Sequence, residues 1–100
     1  MKYNKLVGDK IPDIIKQKGG AAMTHAADGK EYWEKLKEKL LEEVGEFMKE
    51  PNEEELADIL EVIYAVCDFK GFDRDSLEKL RMEKAERRGG FKKRIVLEES

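Results

Sequence analysis

Four acidic residues in two groups offer the most specific chemistry in this chain: Glu43 with Glu46, and Glu55 with Asp58. Each pair is spaced i, i+3, so on a helix the two side chains project from adjacent turns of one face. On a wheel of about 100° per residue with Leu40 at zero, Trp33, Leu36, Val44 and Phe47 fall within about 40°, Glu43 about 60° to one side and Glu46 near 120°. With Ile59 at zero on the following segment, Glu55 falls about 40° and Asp58 about 100° to one side. The first member of each pair therefore borders an apolar stripe and the second lies just beyond it. Two antiparallel helices joined at Pro51 would bring all four acids into one cluster.

Such a cluster is costly without compensation. Two like charges about 4 Å apart repel by about 4 kcal/mol even at an effective dielectric of about 20. The pattern shows no lysine or arginine interleaved on these edges, so the expected remedies are raised pKa values or a bound cation. All-oxygen ligation selects magnesium, manganese or calcium over zinc. A di-iron bundle site would want Glu-x-x-His motifs, and neither segment contains a histidine. Isolated acids at this spacing are usually a solvated face; two pairs on adjacent helices, both shouldering the apolar stripe, leave a metal site and a solvated face equally open on geometry alone. Glu42 and Glu61 point farther round the wheel and read as surface residues.

The elements that must position these acids are helices. Asp9 reads as the cap of a short first helix with Pro12 in its first turn and Ile11, Ile14 and Ile15 on its apolar side, ended by Gly19-Gly20. Residues 21–29 read as a loop holding the only histidine, His25. Asp28 opens the longest helix, from about Lys30 to Glu50, with Trp33, Leu36, Leu40, Val44 and Phe47 at the amphipathic period. Pro51-Asn52 breaks it. Asn52 caps a helix from about Glu53 to Lys70, with Glu55 placed as in a capping box. Its expected core face is Leu56, Ile59, Leu60, Ile63, Val66 and Cys67, and Gly71 is its natural C-cap. Asp73 or Asp75 opens a fourth helix to about Arg88, with Leu77, Leu80 and Met82 inside it, stopped by Gly89-Gly90. Phe91 to Leu97, with β-branched Ile95-Val96, predicts a short strand or an extended arm.

The expectation is one all-α domain over residues 1–100: a bundle of about four helices, completed by oligomerisation. At 100 residues a single core is the limit. Charged residues make up 43% of the chain against 40% hydrophobic, a heavy charge load that suits solvated outer faces and self-association. The net charge of -3 and pI of about 5.3 argue against a general nucleic-acid binder. Charge is unevenly spread, acidic from Glu42 to Asp58 and basic from Arg81 to Arg94, which suits a divalent metal with a phosphorylated ligand. One cysteine, Cys67, precludes an intrachain disulfide and reads as a packed thiol. The opening MKYNKLVGDK has no apolar run of the secretory kind, and no stretch approaches the ~20 apolar residues of a membrane span. A cytoplasmic protein without membrane partners is the default expectation.

The two acidic motifs, Glu43-Val44-Gly45-Glu46 and Glu55-Leu56-Ala57-Asp58, resemble those of the all-alpha nucleoside triphosphate pyrophosphohydrolase superfamily. That group includes MazG-like enzymes, dimeric dUTPases and phosphoribosyl-ATP pyrophosphohydrolase. Tyr3 to Val7, Asp9-Lys10-Ile11-Pro12 and Lys84 to Phe91 look like a small single-domain MazG-like subgroup, often labelled phosphoribosyl-ATP pyrophosphohydrolase-like. Gly8 departs from it, standing where that subgroup usually has arginine.

The resemblance implies an all-helical homodimer or homotetramer and magnesium, or manganese, held by Glu43, Glu46, Glu55 and Asp58. It also implies a house-cleaning type of hydrolysis of a nucleotide between its α and β phosphates. Within it, Glu46 or Glu43 is the expected general base, and Lys84, Arg87 and Arg88 are the expected phosphate-binding cations; Lys92, Lys93 and Arg94 are weaker candidates, and Trp33 reads as packing rather than a base-stacking platform. The rival readings are a phosphoribosyl-ATP pyrophosphohydrolase of histidine biosynthesis and a catalytically silent helical interaction protein.

Overall fold

Helix signals in the sequence translate directly into the architecture of the computed structural model, which describes residues 3–100. Four helices follow one another: α1 (Ile11–Gln17), α2 (Gly29–Lys49), α3 (Glu53–Lys70) and α4 (Arg74–Arg88). The chain is all-α, with no strand among the described residues.

Three of the four helices start on a side-chain cap. The carboxylate of Asp28 accepts from the Glu31 amide, the side-chain carbonyl of Asn52 from the Glu55 amide and the carboxylate of Asp73 from the Ser76 amide, each at 2.9 Å. Each bond satisfies one of the N–H groups that a helix start leaves without a partner. Acidic residues crowd the first turn of α3, where Glu53, Glu54 and Glu55 meet the positive end of the helix dipole. Gly71 ends α3 in the left-handed region at φ 73°, and the Gly71 and Phe72 amides both turn back to the Cys67 carbonyl.

α1 departs from its expected start. Asp9 does not cap it; Lys10 occupies the N-cap with no side-chain hydrogen bond, and the Ile11 amide donates instead to the Gly8 carbonyl at 3.0 Å. That backbone turn uses the donor a capping aspartate would have taken. Phe91 to Leu97 forms no strand. It is an arm that turns at Arg94, whose amide donates to the Phe91 carbonyl, and it leaves Phe91, Ile95, Val96 and Leu97 largely exposed.

Only α2 and α3 pack extensively on one another. The connection between them, Glu50 to Asn52, is so short that the two run antiparallel. Leu36 from α2 and Val62 and Cys67 from α3 are the buried apolar side chains among the described residues. At one end of the hairpin, Trp33 stacks on Phe69 (6.0 Å between centroids, 10° between planes), Tyr32 meets Phe69 edge-on, and the Lys70 ammonium lies 4.0 Å from the Trp33 ring. Trp33 is thus enclosed by its own chain, as packing rather than as an open platform.

Several residues expected in the core are not buried. Val44, Leu56, Leu60, Leu77, Leu80 and Met82 are all exposed to solvent. The molecule measures 55 × 31 × 23 Å with a radius of gyration of 17.6 Å, against about 13 Å for a compact 100-residue chain. No helix among the described residues is long and apolar enough to cross a membrane.

Candidate metal centre

The acids are aimed by the same wheel that builds the hairpin. Leu36, Leu40, Glu43 and Phe47 recur along the side of α2 that faces α3, while Glu55, Ile59, Val62 and Val66 line the facing side of α3. Glu43 and Glu55 thereby occupy positions that would otherwise hold core residues near the closed end of the hairpin. Asp58, one turn beyond Glu55, joins them at the edge.

One carboxylate oxygen from each of Glu43, Glu55 and Asp58 lies within 4.8 Å of the other two. The Glu43 side chain is only 13% exposed. The expected clustering of acids from successive helices therefore holds for three of the four residues. Glu46 stays at the rim: its side chain is half exposed, with Lys49 Nζ 3.9 Å from its Oε1. Glu46 sits about 60° farther round the helix than Glu43, which carries it away from the seam.

Glu55 records the crowding. Partial burial, followed by the negative charges of Asp58, Glu43, Glu46 and Glu50, holds its carboxyl above the usual carboxylate range. A carboxyl with a raised folded-state pKa binds more protons in the folded than in the unfolded chain. Stability therefore falls as pH rises from the ordinary value of 4.5 through the raised one. Metal-free protein carrying Glu55→Gln should unfold at a higher temperature than wild type at neutral pH, and the gap should close in acid below that ordinary value. Equal melting temperatures at neutral pH would show that the charges are relieved in some other way.

A lysine does reach this cluster, contrary to the expectation of unrelieved charge. Lys39 Nζ lies 3.1 Å from Glu43 Oε1 and 3.4 Å from Glu42 Oε2. The signal was present in the sequence as the i, i+4 spacing of Lys39 and Glu43. Glu42 also accepts from Lys5 Nζ at 3.1 Å, which ties the N-terminal segment to α2. Partial burial pushes the Glu42 carboxyl up, but Lys5 and Lys39 together bring it below its usual range. Glu42 is therefore a committed ion-pair partner, and Lys39 neutralises one acid of the cluster from one side only.

The donor set fits a hard divalent cation. It is all oxygen, it comes from three carboxylates, and Glu55 remains electrostatically strained with Lys39 in place. Comparison with known protein families, with curated proteins and with solved structures finds no match to this chain. The chemistry of the site therefore rests on the geometry of these residues.

The expected phosphate-binding cations are placed differently. Lys84, Arg87 and Arg88 lie in the last turns of α4, exposed and in no ion pair among the described residues. α4 does not pack extensively on α2 or α3, so these cations are not gathered around the acids within the packed hairpin. Lys92, Lys93 and Arg94 are exposed on the arm. At Gly8 an added Cβ would make an ordinary 3.5 Å contact with Ile11, so the backbone does not demand glycine there. His25 pairs with Glu31 at 2.9 Å on the surface, away from the acidic motifs in sequence.

Proposed function

We propose that the chain is a magnesium-dependent nucleotide pyrophosphohydrolase, cleaving a nucleoside triphosphate between its α and β phosphates. The observation that carries this reading is the meeting of Glu43, Glu55 and Asp58 from two successive helices. The resemblance of the two acidic motifs to those of all-alpha pyrophosphohydrolases supplies the reaction class.

Glu43, Glu55 and Asp58 would hold magnesium, with manganese as the alternative ion. When bound, the cation would offset the charge of the phosphate oxygens and acidify water. Glu46, close to the triad yet free of the buried seam, is the carboxylate available to take the proton from the attacking water. The water oxygen then bonds to the α-phosphorus while the bond to the departing pyrophosphate breaks, roughly in line. Monophosphate and pyrophosphate leave, and the proton held by Glu46 returns to solvent. Glu43 is the second candidate for the base, but its Oε1 is already engaged by Lys39 Nζ at 3.1 Å. Lys84, Arg87 and Arg88, from this chain or from a neighbouring copy, would meet the phosphates, since guanidinium groups bind phosphate oxygens in a bidentate way.

A panel of nucleoside triphosphates and phosphoribosyl-ATP, each incubated with magnesium and read out as monophosphate and pyrophosphate, tests this. Release of pyrophosphate from one member supports the reading and names the substrate. Release of single phosphates, or no turnover of any member, overturns it.

One observation favours a second reading, that of a catalytically silent helical partner protein. Lys39 already occupies part of the acidic cluster. Magnesium titration by calorimetry separates the two, because a pure interaction module has no reason to bind the ion at these acids.

A further inference from the structure

Lys39 stands where two carboxylates of α2 meet. Taking Leu36 as zero on α2, Glu43, Lys39 and Glu42 lie at about −20°, −60° and −120°, so the lysine falls between the two acids. Glu46, at about −80°, lies on the same side of the seam. The Lys39 ammonium bridges the pair, 3.1 Å from Glu43 Oε1 and 3.4 Å from Glu42 Oε2. The Lys39 side chain is 19% exposed and that of Glu43 13%; Lys5, Lys35, Lys37 and Lys49, the other lysines in ion pairs among the described residues, are all more exposed. Exposure decides what such a pair is worth. An open pair holds loosely, whereas an enclosed one leaves a charge stranded away from water when its partner is removed.

The two ends of the bridge differ. Glu43 is one of the three acids whose oxygens meet within 4.8 Å. Glu42 is outside that group and already accepts from Lys5 Nζ at 3.1 Å. A divalent cation held by Glu43, Glu55 and Asp58 therefore uses a carboxylate that the Lys39 ammonium already grips. Whichever Glu43 oxygen it takes, it comes close to the ammonium, and the two positive charges repel. Glu42 gives the displaced ammonium a carboxylate to stay with, since Lys39 is within reach of it before any displacement.

We infer that Lys39 is a tethered competitor of the metal: its ammonium neutralises Glu43 until a divalent cation takes that carboxylate, and so it sets the affinity and the charge selectivity of the site. This rests on the magnesium reading of Glu43, Glu55 and Asp58. Selectivity follows from charge and tether together. A monovalent ion brings no more charge than the ammonium it would replace, and it must give up its freedom in solution, which the side chain has already lost to the helix. A divalent ion brings twice the charge to three carboxylates and outweighs the lysine.

Calorimetric titration of the full chain with magnesium chloride tests this in wild type, Lys39→Met and Lys35→Met. Lys39→Met is expected to bind magnesium at least about tenfold more tightly, the lower end of what a charge in contact contributes. Lys35 is the comparison. It lies one turn earlier on α2 and pairs with Glu38 at 3.4 Å rather than with the triad, so its loss should change affinity by less than about twofold in ordinary salt. Melting in the presence of a chelator gives a second readout. There Lys39→Met should melt below wild type, and adding Glu43→Gln should recover most of the loss, because the acid that needed the counter-charge is gone. A lysine that only supports the fold predicts weaker binding together with the lower melting temperature; a competitor predicts the two moving in opposite directions. Wild type supplies a readout of its own: potassium chloride and tetramethylammonium chloride at equal ionic strength should give the same magnesium affinity. A lower affinity in potassium overturns the selectivity, because a bare monovalent ion then enters the site. Equal or weaker magnesium binding in Lys39→Met overturns the inference and leaves the metal reading standing. Binding in none of the three proteins overturns the metal reading, and the inference with it.

Discussion

On the proposed function, alanine in place of Asp58 is expected to abolish most magnesium-dependent pyrophosphate release, lowering it by at least about 100-fold, because even outer partners of a metal site cost 10- to 100-fold when removed. The same change should weaken magnesium binding measured directly. Glu46→Gln should behave differently. It removes a proton acceptor at the rim, so turnover should fall by about 10²- to 10⁴-fold while magnesium binding stays near wild type. The contrast between the two variants separates holding the ion from moving the proton. A wild-type rate in either variant removes that residue from the mechanism. Unchanged magnesium affinity in Asp58→Ala would mean that the ion, if bound, sits elsewhere.

Leu36→Ala should be the most damaging change to stability, costing about 2–5 kcal/mol, the usual range for emptying a buried leucine site. Leu36 is 1% exposed and is the largest fully buried side chain among the described residues. A domain of this size has only about 5–15 kcal/mol in total, so the variant should sit close to unfolding at moderate temperature. Urea unfolding at one fixed protein concentration checks it. Leu41→Ala, at a side chain with little packing of its own, serves as the comparison. A loss below about 1 kcal/mol for Leu36→Ala would mean that the α2–α3 seam is not where the fold is held.

The helices were legible in the sequence because their starts and stops are chemical events. Asp28, Asn52 and Asp73 each accept the amide bond that a capping residue should, and Gly71 adopts the left-handed conformation expected of it. Asp9 misled because a capping residue competes with simple backbone turns, and here the turn from Gly8 to Ile11 won. The acidic triad was legible because Glu43, Glu55 and Asp58 lie near the facing sides of two helices whose connection leaves one way to pair. Glu46 shares the spacing but not the angle, and the angle decided. What the sequence did not separate was which of the apolar positions the chain itself buries. Val44, Leu56 and Leu60 have the same chemistry and periodicity as Leu36 and Val62, yet they stay exposed, and hydropathy alone carries no mark of that difference.

The three-residue corner from Glu50 to Asn52 has a consequence for how the acidic triad comes into being. Glu43 and Asp58 are separated along the chain only by this corner and about one and a half helical turns on either side. The entropy lost in bringing them together is small, because so short a stretch has little freedom to surrender. Their mutual repulsion consequently opposes the earliest closure of the hairpin rather than its last adjustment. Neutralising one of these carboxylates, as Glu55→Gln does for the third member of the triad, would ease the closing of the corner. An insertion at Pro51 would slow that closure as well as misalign the carboxylates.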